Sequence, residues 1–184
     1  MDDPDLSLRD ALADFRCRNG IDPAAASAAT WTCRLGPVTV RLPNFGWRRQ
    51  AILRHDLHHV LTGYPCTMRG EFQMATWEFA AGRFPHPAAA VFCLPLVAAG
   101  IVWSPSAIWR AFIAGRRGRS LYGRGATQDL LQRPVRALRP VAGPHAPKAG
   151  WADAAAFVLL VLKAFAVTLA PIGLLVAAVG TMAL

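Results

Sequence analysis

Two histidines four positions apart carry the strongest chemical signal in this sequence. His55 and His59 fall on one face of any helix that contains both. Glu71 follows after eleven residues and can approach them from the next element. Imidazole nitrogens and carboxylate oxygens are ligands for zinc and also for iron, manganese or cobalt. We therefore predict a divalent-metal site made by His55, Asp56, His59 and Glu71.

Asp56 separates this pattern from the familiar metallohydrolase motif H-E-x-x-H, in which the glutamate is a general base. The shorter Asp56 could bind the metal at its edge or orient a ligand by hydrogen bonding. In a metal-free alternative, His55 and His59 are partly buried and hydrogen-bonded to Asp56 and Glu71. His58 points away from the shared face, which favours a structural role for it.

Two further sets of residues are candidates for substrate contact. Glu78 shares a helical face with Glu71 and could transfer a proton, or it could be a structural residue on the helix surface. Arg116, Arg117 and Arg119 could bind an anionic headgroup or an acidic substrate, or they could form a solvated basic turn.

The elements that must position these residues are mainly helical. Hydrophobic periodicity predicts a short helix over residues 6–17, and alternation over 31–42 predicts a small β-hairpin that decorates the fold. The two site helices are predicted at 46–62, ended by Gly63, and at 70–81. We predict a mainly α fold, a single helical domain with a minor β-hairpin and a C-terminal transmembrane helix.

The end of the chain predicts a membrane anchor. Residues 164–184 contain 21 positions without a charge, which is enough to cross a hydrocarbon core of about 30 Å. We expect Lys163 at the headgroups and a kink at Pro171. The predicted division is a metal-binding domain over 1–138, a Pro/Gly linker over 139–150 and the anchor over 151–184. Residues 88–103 are apolar but short, and better suit a buried or membrane-dipping helix.

The net charge of +9 is concentrated ahead of this anchor. Residues 104–150 contain a single acid, Asp129, and nine basic residues: Arg110, Arg116, Arg117, Arg119, Arg124, Arg133, Arg136, Arg139 and Lys148. This asymmetry predicts a cytoplasmic body and contact with membrane lipid. We expect no nucleic-acid partner, because no binding motif accompanies the charge. The acidic N-terminus argues against a secretory signal, and the four scattered cysteines indicate neither a zinc ribbon nor a disulfide framework.

The sequence segments around the predicted metal ligands are more specific than the spacing of those ligands alone. "HDLHHVLTGYPCTMRGE", the following "ATWEFAAG" and the later "AFIAGRRGRSLYGRG" resemble bacterial members of the coenzyme Q biosynthesis protein 4 family over residues 40–125. The resemblance implies a mostly helical, membrane-associated protein of ubiquinone biosynthesis, with zinc as the usual metal at His55, Asp56, His59 and Glu71. This chain differs in its short N-terminus and in its apolar C-terminal segment.

The resemblance also implies a reaction, oxidative decarboxylation at ring carbon one of a polyprenyl-hydroxybenzoate. A metal acting as a Lewis acid and an apolar groove along residues 88–103 would suit such a substrate. The expected partners are the polyprenyl quinone precursor, membrane lipid and other quinone-biosynthesis proteins. Two alternatives stay open: a non-catalytic prenyl-lipid-binding scaffold of the same pathway, and an unrelated membrane metallohydrolase. The oligomeric state stays open as well.

Overall fold

A computed structural model describes residues 4–35, 38–82, 84, 86–122, 127–143 and 148–182 of the chain. The helices are α1 (Leu8–Arg18), α2 (Pro23–Ser27), α3 (Gly46–Thr62), α4 (Met68–Ala81), α5 (Pro87–Trp103), α6 (Pro105–Arg117), α7 (Thr127–Gln132), α8 (Val135–Leu138) and α9 (Trp151–Met182), with a 3-10 turn at Arg139–Ala142. The strands are β1 (Thr30–Leu35) and β2 (Val38–Pro43). This arrangement confirms the predicted mainly α fold with a minor hairpin.

One hydrophobic core joins α1 to α3 and to the chain after α6. Its buried side chains come from both ends of the body: Leu8, Leu12, Phe15, Leu57, Leu121, Val135 and Leu138. The start of α1 is fixed twice, because Ser7 caps the Asp10 N–H and the Leu8 N–H donates to the Arg133 carbonyl at 2.8 Å. The N-terminal helix α1 therefore packs against α3.

A second core joins α4, α5, α6 and α9, with buried Ala75, Leu94, Val97, Phe112, Ile113, Leu160 and Ala164. Gly115 allows α6 to lie directly on α4, because a Cβ at that position would collide with the Trp77 carbonyl and the Ala80 side chain. Arg116 and Arg117 form the last turn of this helix and are exposed, so they are solvated as expected but lie in a helix and not in a turn.

The hairpin pairs antiparallel, with Trp31 opposite Leu42. The guanidinium of Arg48, on α3, lies 3.9 Å from the centre of the Trp31 ring. A two-stranded hairpin needs such support from helices. The predicted turn at residues 36 and 37 lies outside the described residues.

The predicted linker is partly structured. Ala142 accepts a hydrogen bond of 2.8 Å from the Trp77 indole, which holds the 3-10 turn on α4. Asp153, in the first turn of α9, accepts hydrogen bonds from Arg116 at 3.0 Å and Arg117 at 2.7 Å. The beginning of α9 is therefore bound to α6. Residues 144–147 of the linker lie outside the described residues.

One helix among the described residues is long and apolar enough to cross a membrane: Trp151–Pro171, with a mean hydropathy of 2.1 and 11% of it buried. The sequence places the span later, at 164–184, with a division at Lys163. The structure shows one helix, α9, that continues through Lys163 and Pro171. The side chains of residues 172 and 174–182 lie outside the described part, so the span at 164–184 stays a prediction. Residues 183 and 184 lie outside the described part.

Candidate metal centre

The site begins in the second half of α3. His55 and His59 lie one helical turn apart there, and the helix ends at Gly63, whose φ of 75° suits a glycine. Glu71 comes from the first turn of α4, which begins where the Thr67 hydroxyl accepts the Gly70 N–H. The short connection between the two helices brings the carboxylate opposite both imidazoles.

Three side chains converge on one point. The Nε2 atoms of His55 and His59 are 3.1 Å apart, and the Glu71 carboxylate lies 3.1 Å from the first and 3.3 Å from the second. Tetrahedral zinc with bonds of about 2.0–2.1 Å separates its ligand atoms by roughly 3.3 Å. The group His55, His59 and Glu71 could therefore hold a metal ion with little rearrangement.

His59 is oriented for this role. Its Nδ1 lies 2.7 Å from the Tyr64 carbonyl, which can only accept, so Nδ1 donates and Nε2 is the ring nitrogen left to bind a metal. The imidazole also stacks on the Phe15 ring, with centroids 5.5 Å apart. A hydrogen bond from the distal nitrogen to a carbonyl is the usual way in which a metal-binding histidine is held.

The charges around His55 favour a cation at the same point. Burial alone would lower the pKa of His55, but the charges of Glu78 and Glu71 and their hydrogen bonds raise it to about 10. Burial likewise opposes ionisation of Glu71, yet its hydrogen bonds with His55 and His59 lower its pKa to about 2. The carboxylates that would favour a metal ion at this point therefore also favour a proton on His55.

Asp56 is not part of the converging group. Its Oδ2 accepts from Arg16 of α1, from Nε at 2.9 Å and from the terminal nitrogen at 2.7 Å. Both side chains are largely buried, with 13% of Arg16 and 8% of Asp56 exposed. Here the predicted ligand Asp56 is instead the partner of a cation from another helix.

Glu78 lies behind His55 and is fully buried. Its Oε1 accepts three hydrogen bonds, from Nδ1 of His58 at 2.7 Å, from the Tyr122 hydroxyl at 2.9 Å and from Nδ1 of His55 at 3.2 Å. The Leu121 N–H donates to Nε2 of His58, so His58 is neutral and donates through Nδ1. Burial would raise the pKa of Glu78, but the charge of His55 and the histidine hydrogen bonds hold it well below the usual range. Oε2 has no hydrogen-bond partner among the described residues.

An apolar cavity of about 430 Å³ adjoins this network. Its polar lining residues include His55, Glu78 and Tyr122. The rest of the wall is mostly apolar and comes from the hairpin, α3, α5 and the position between α4 and α5 that Phe84 occupies. Its members are Trp31, Leu42, Phe45, Trp47, Ile52, Phe84, Ala89 and Phe92. His55 therefore belongs both to the metal group and to the cavity wall.

The structure separates the arginines predicted to bind a headgroup from this cavity. Arg116 and Arg117 bind Asp153, and Arg117 also donates to the Lys148 carbonyl. Arg119 is exposed. Among the described residues, the arginine in the cavity wall is Arg48. A headgroup role for Arg116, Arg117 and Arg119 stays a prediction, and it applies to the surface near the start of α9.

Sequence reasoning missed most of the cavity wall and the contacts of Glu78. The alternating Trp31 and Leu42 predicted the hairpin but not its position over α3. The link from Tyr122 to Glu78 joins residues 44 positions apart and leaves no local signal.

No known protein family, curated protein or solved structure matches this chain. Membership of the coenzyme Q biosynthesis protein 4 family therefore stays a prediction from the quoted motifs.

Proposed function

We propose that this chain is a membrane-associated, divalent-metal-dependent enzyme that acts on an aromatic substrate with a polyprenyl tail. The observation that carries this proposal is the double position of His55. One nitrogen of its ring faces the candidate metal point, and the residue also lines the apolar cavity. An apolar ligand in the cavity would therefore meet the metal group at one defined place.

The cavity suits the apolar part of such a substrate. About 430 Å³ lies within the range of small-molecule sites, which are mostly apolar with a few placed polar groups. Phe92, on α5, lines the cavity and is 62% exposed. A long tail could leave the cavity beside this side chain.

The neighbouring surface suits a bilayer. Besides Phe92, α5 exposes Val91, Val102 and Trp103, and α9 exposes Val158, Leu159, Leu162 and Leu169. Exposed apolar side chains concentrated on two helices are typical of a membrane or protein contact. We propose that α9 anchors the protein and that the basic residues before it keep the body on the cytoplasmic side.

The reaction we propose is the one that the motif resemblance implies, oxidative decarboxylation at ring carbon one of a polyprenyl-hydroxybenzoate in ubiquinone biosynthesis. The carboxyl group leaves as CO2, and the two electrons that the substrate loses require an oxidant such as molecular oxygen as a co-substrate. Bound zinc or another divalent metal would supply a Lewis acid for the substrate carboxylate or phenolate. Tyr64 would fix the His59 ring, while the apolar wall would exclude water. A metallohydrolase has less support, because Asp56 is bound to Arg16 and is not placed as a general base.

The first test is the metal content of the purified full-length protein. Elemental analysis should find close to one divalent ion per chain, and His59→Ala and Glu71→Ala should each lose it. Asp14→Ala is the matched carboxylate control, because Asp14 is exposed and pairs with Arg18 in the next turn. If wild type holds no metal after supplementation, or if both site variants keep it, the metal centre is disproved.

The second test is quinone content in cells that depend on this chain. His55→Ala and Glu71→Ala should abolish quinone production while the protein still accumulates in membranes. Normal quinone levels in both variants would exclude the catalytic role. If quinone is normal but complexes with other pathway proteins are lost, the scaffold alternative would replace it.

A further inference from the structure

The two oxygens of the buried Glu78 carboxylate have different hydrogen-bond environments. Three donors, from His55, His58 and Tyr122, converge on Oε1. Oε2 is buried and is the one buried side-chain nitrogen or oxygen without a partner among the described residues. Buried acceptors of this kind are rare because an unmade hydrogen bond in the interior is costly.

Glu78 also lines the apolar cavity, at the same end as His55 and Tyr122. The Tyr122 hydroxyl already donates to Oε1, and His55 Nδ1 does the same. The acceptor that remains unpartnered in this group is Oε2 of Glu78, so a ligand would have to offer it a hydrogen-bond donor. A ligand that ends in an anion there would be repelled by the carboxylate.

We propose that Glu78 holds the ligand of the cavity by accepting a hydrogen bond from an uncharged hydroxyl on an apolar, ring-sized molecule, a phenol in the substrate class proposed above. The choice of an aromatic ligand rests on that proposed function, whereas the demand for a donor rests on Glu78 alone. Glu78 then selects ligands with a free hydroxyl over those in which the oxygen is alkylated.

The direct test compares two probes that differ by one methyl group, 4-nonylphenol and its methyl ether, with the full-length protein in lipid nanodiscs. Isothermal titration calorimetry should show that the phenol binds about tenfold more tightly or better, since hydrogen bonds to charged groups contribute about 1.5–3 kcal/mol. Equal affinities, or binding of neither probe, would overturn the proposal.

Metal must be controlled, because a metal ion could itself prefer the phenol. The titrations are therefore repeated after chelation and with His59→Ala, which removes a predicted ligand that is outside the cavity wall. The preference should persist in both. A preference seen only with metal would show that the metal binds the hydroxyl, which overturns the role of Glu78 and leaves the proposed function intact.

Glu78→Gln gives a sharper result than simple loss. The three donors fix an oxygen at the Oε1 position, so the amide NH₂ must take the place of Oε2. A donor then replaces an acceptor, and the methyl ether should bind at least as well as the phenol. Tyr122→Phe is the matched control, because it disturbs the same carboxylate without exchanging Oε2, and it should keep the phenol preference. Unchanged phenol preference in a folded Glu78→Gln protein would refute the assignment.

Location is tested with Ala89→Trp, which places an indole in the cavity from α5. Binding of both probes should fall below detection while the circular dichroism spectrum stays that of wild type. If this variant does not fold, Ile52→Trp offers the same obstruction from α3. Full binding in a folded, obstructed variant would place the ligand elsewhere and overturn the proposal.

Discussion

Asp56 offers the clearest choice between the motif and the structure. The motif makes Asp56 a metal ligand, whereas the structure pairs it with Arg16 across α1 and α3. Asp56→Ala would leave the Arg16 guanidinium largely buried and without this partner. Breaking a buried ion pair costs about 3–5 kcal/mol, against about 0–1 kcal/mol for an exposed pair. Both Arg16 contacts use the single oxygen Oδ2 and both side chains are slightly exposed, so we expect the lower end, about 3 kcal/mol.

For a chain of this length, about 1 kcal/mol shifts the melting temperature by roughly 2–4 °C. Thermal unfolding in nanodiscs should therefore show Asp56→Ala melting about 6–12 °C below wild type. The metal content should stay within a tenth of wild type. Loss of metal equal to that of His59→Ala would refute the reasoning and make Asp56 a ligand.

The double variant Arg16→Met/Asp56→Leu separates the loss of the ion pair from the cost of leaving the buried Arg16 guanidinium unpaired. It replaces both charges with apolar side chains, so no unpaired guanidinium remains. We expect it to recover at least half of the stability lost in Asp56→Ala. Additive destabilisation by the two changes would show that the pair is not coupled.

Three further outcomes are expected. In metal-free protein, the raised pKa of His55 contributes stability that is complete below pH 6.5 and lost as pH rises towards about 10; unfolding followed by circular dichroism should show this decline, and His55→Gln should remove it. Asp153→Asn weakens the attachment of α9 to Arg116 and Arg117, so limited proteolysis should cleave faster near Lys148 while the protein stays in the membrane fraction; an unchanged cleavage rate would contradict the attachment. Gly115→Ala should lower the melting temperature, because its methyl group collides with the α4 backbone. Gly46→Ala should not, because a Cβ there would meet the Arg49 side chain at an ordinary contact distance of 3.8 Å.

The sequence predicted helix ends and residue spacings correctly where these depend on neighbouring residues in the chain. The left-handed stop at Gly63 and the four-residue spacing of His55 and His59 depend on neighbouring residues, and the structure reproduces both. Glu71 was within reach of prediction because a short connection leaves α4 few places to begin. These features define the three-residue metal group.

The contacts of Asp56 were not predictable in this way. Its partner Arg16 lies 40 positions earlier, on a helix whose own pattern predicted only packing. The same limit applies to Asp153, whose partners precede it by 36 and 37 positions. Long-range pairing of charges depends on how helices pack, and hydrophobic periodicity does not specify which charged residues meet.

His55 links the two parts of the candidate site through a single ring. Its Nε2 faces His59 and Glu71, while Nδ1 donates to Glu78 in the cavity wall. A cation at the Nε2 side, either a metal ion or the proton that the raised pKa of His55 keeps there, leaves Nδ1 as the nitrogen that donates to Oε1 of Glu78. Because Oε1 is occupied in both states, Oε2 remains the unpartnered acceptor of this carboxylate. The preference for a hydroxylated ligand should therefore persist with and without metal, and the two titrations measure any coupling between metal and ligand directly.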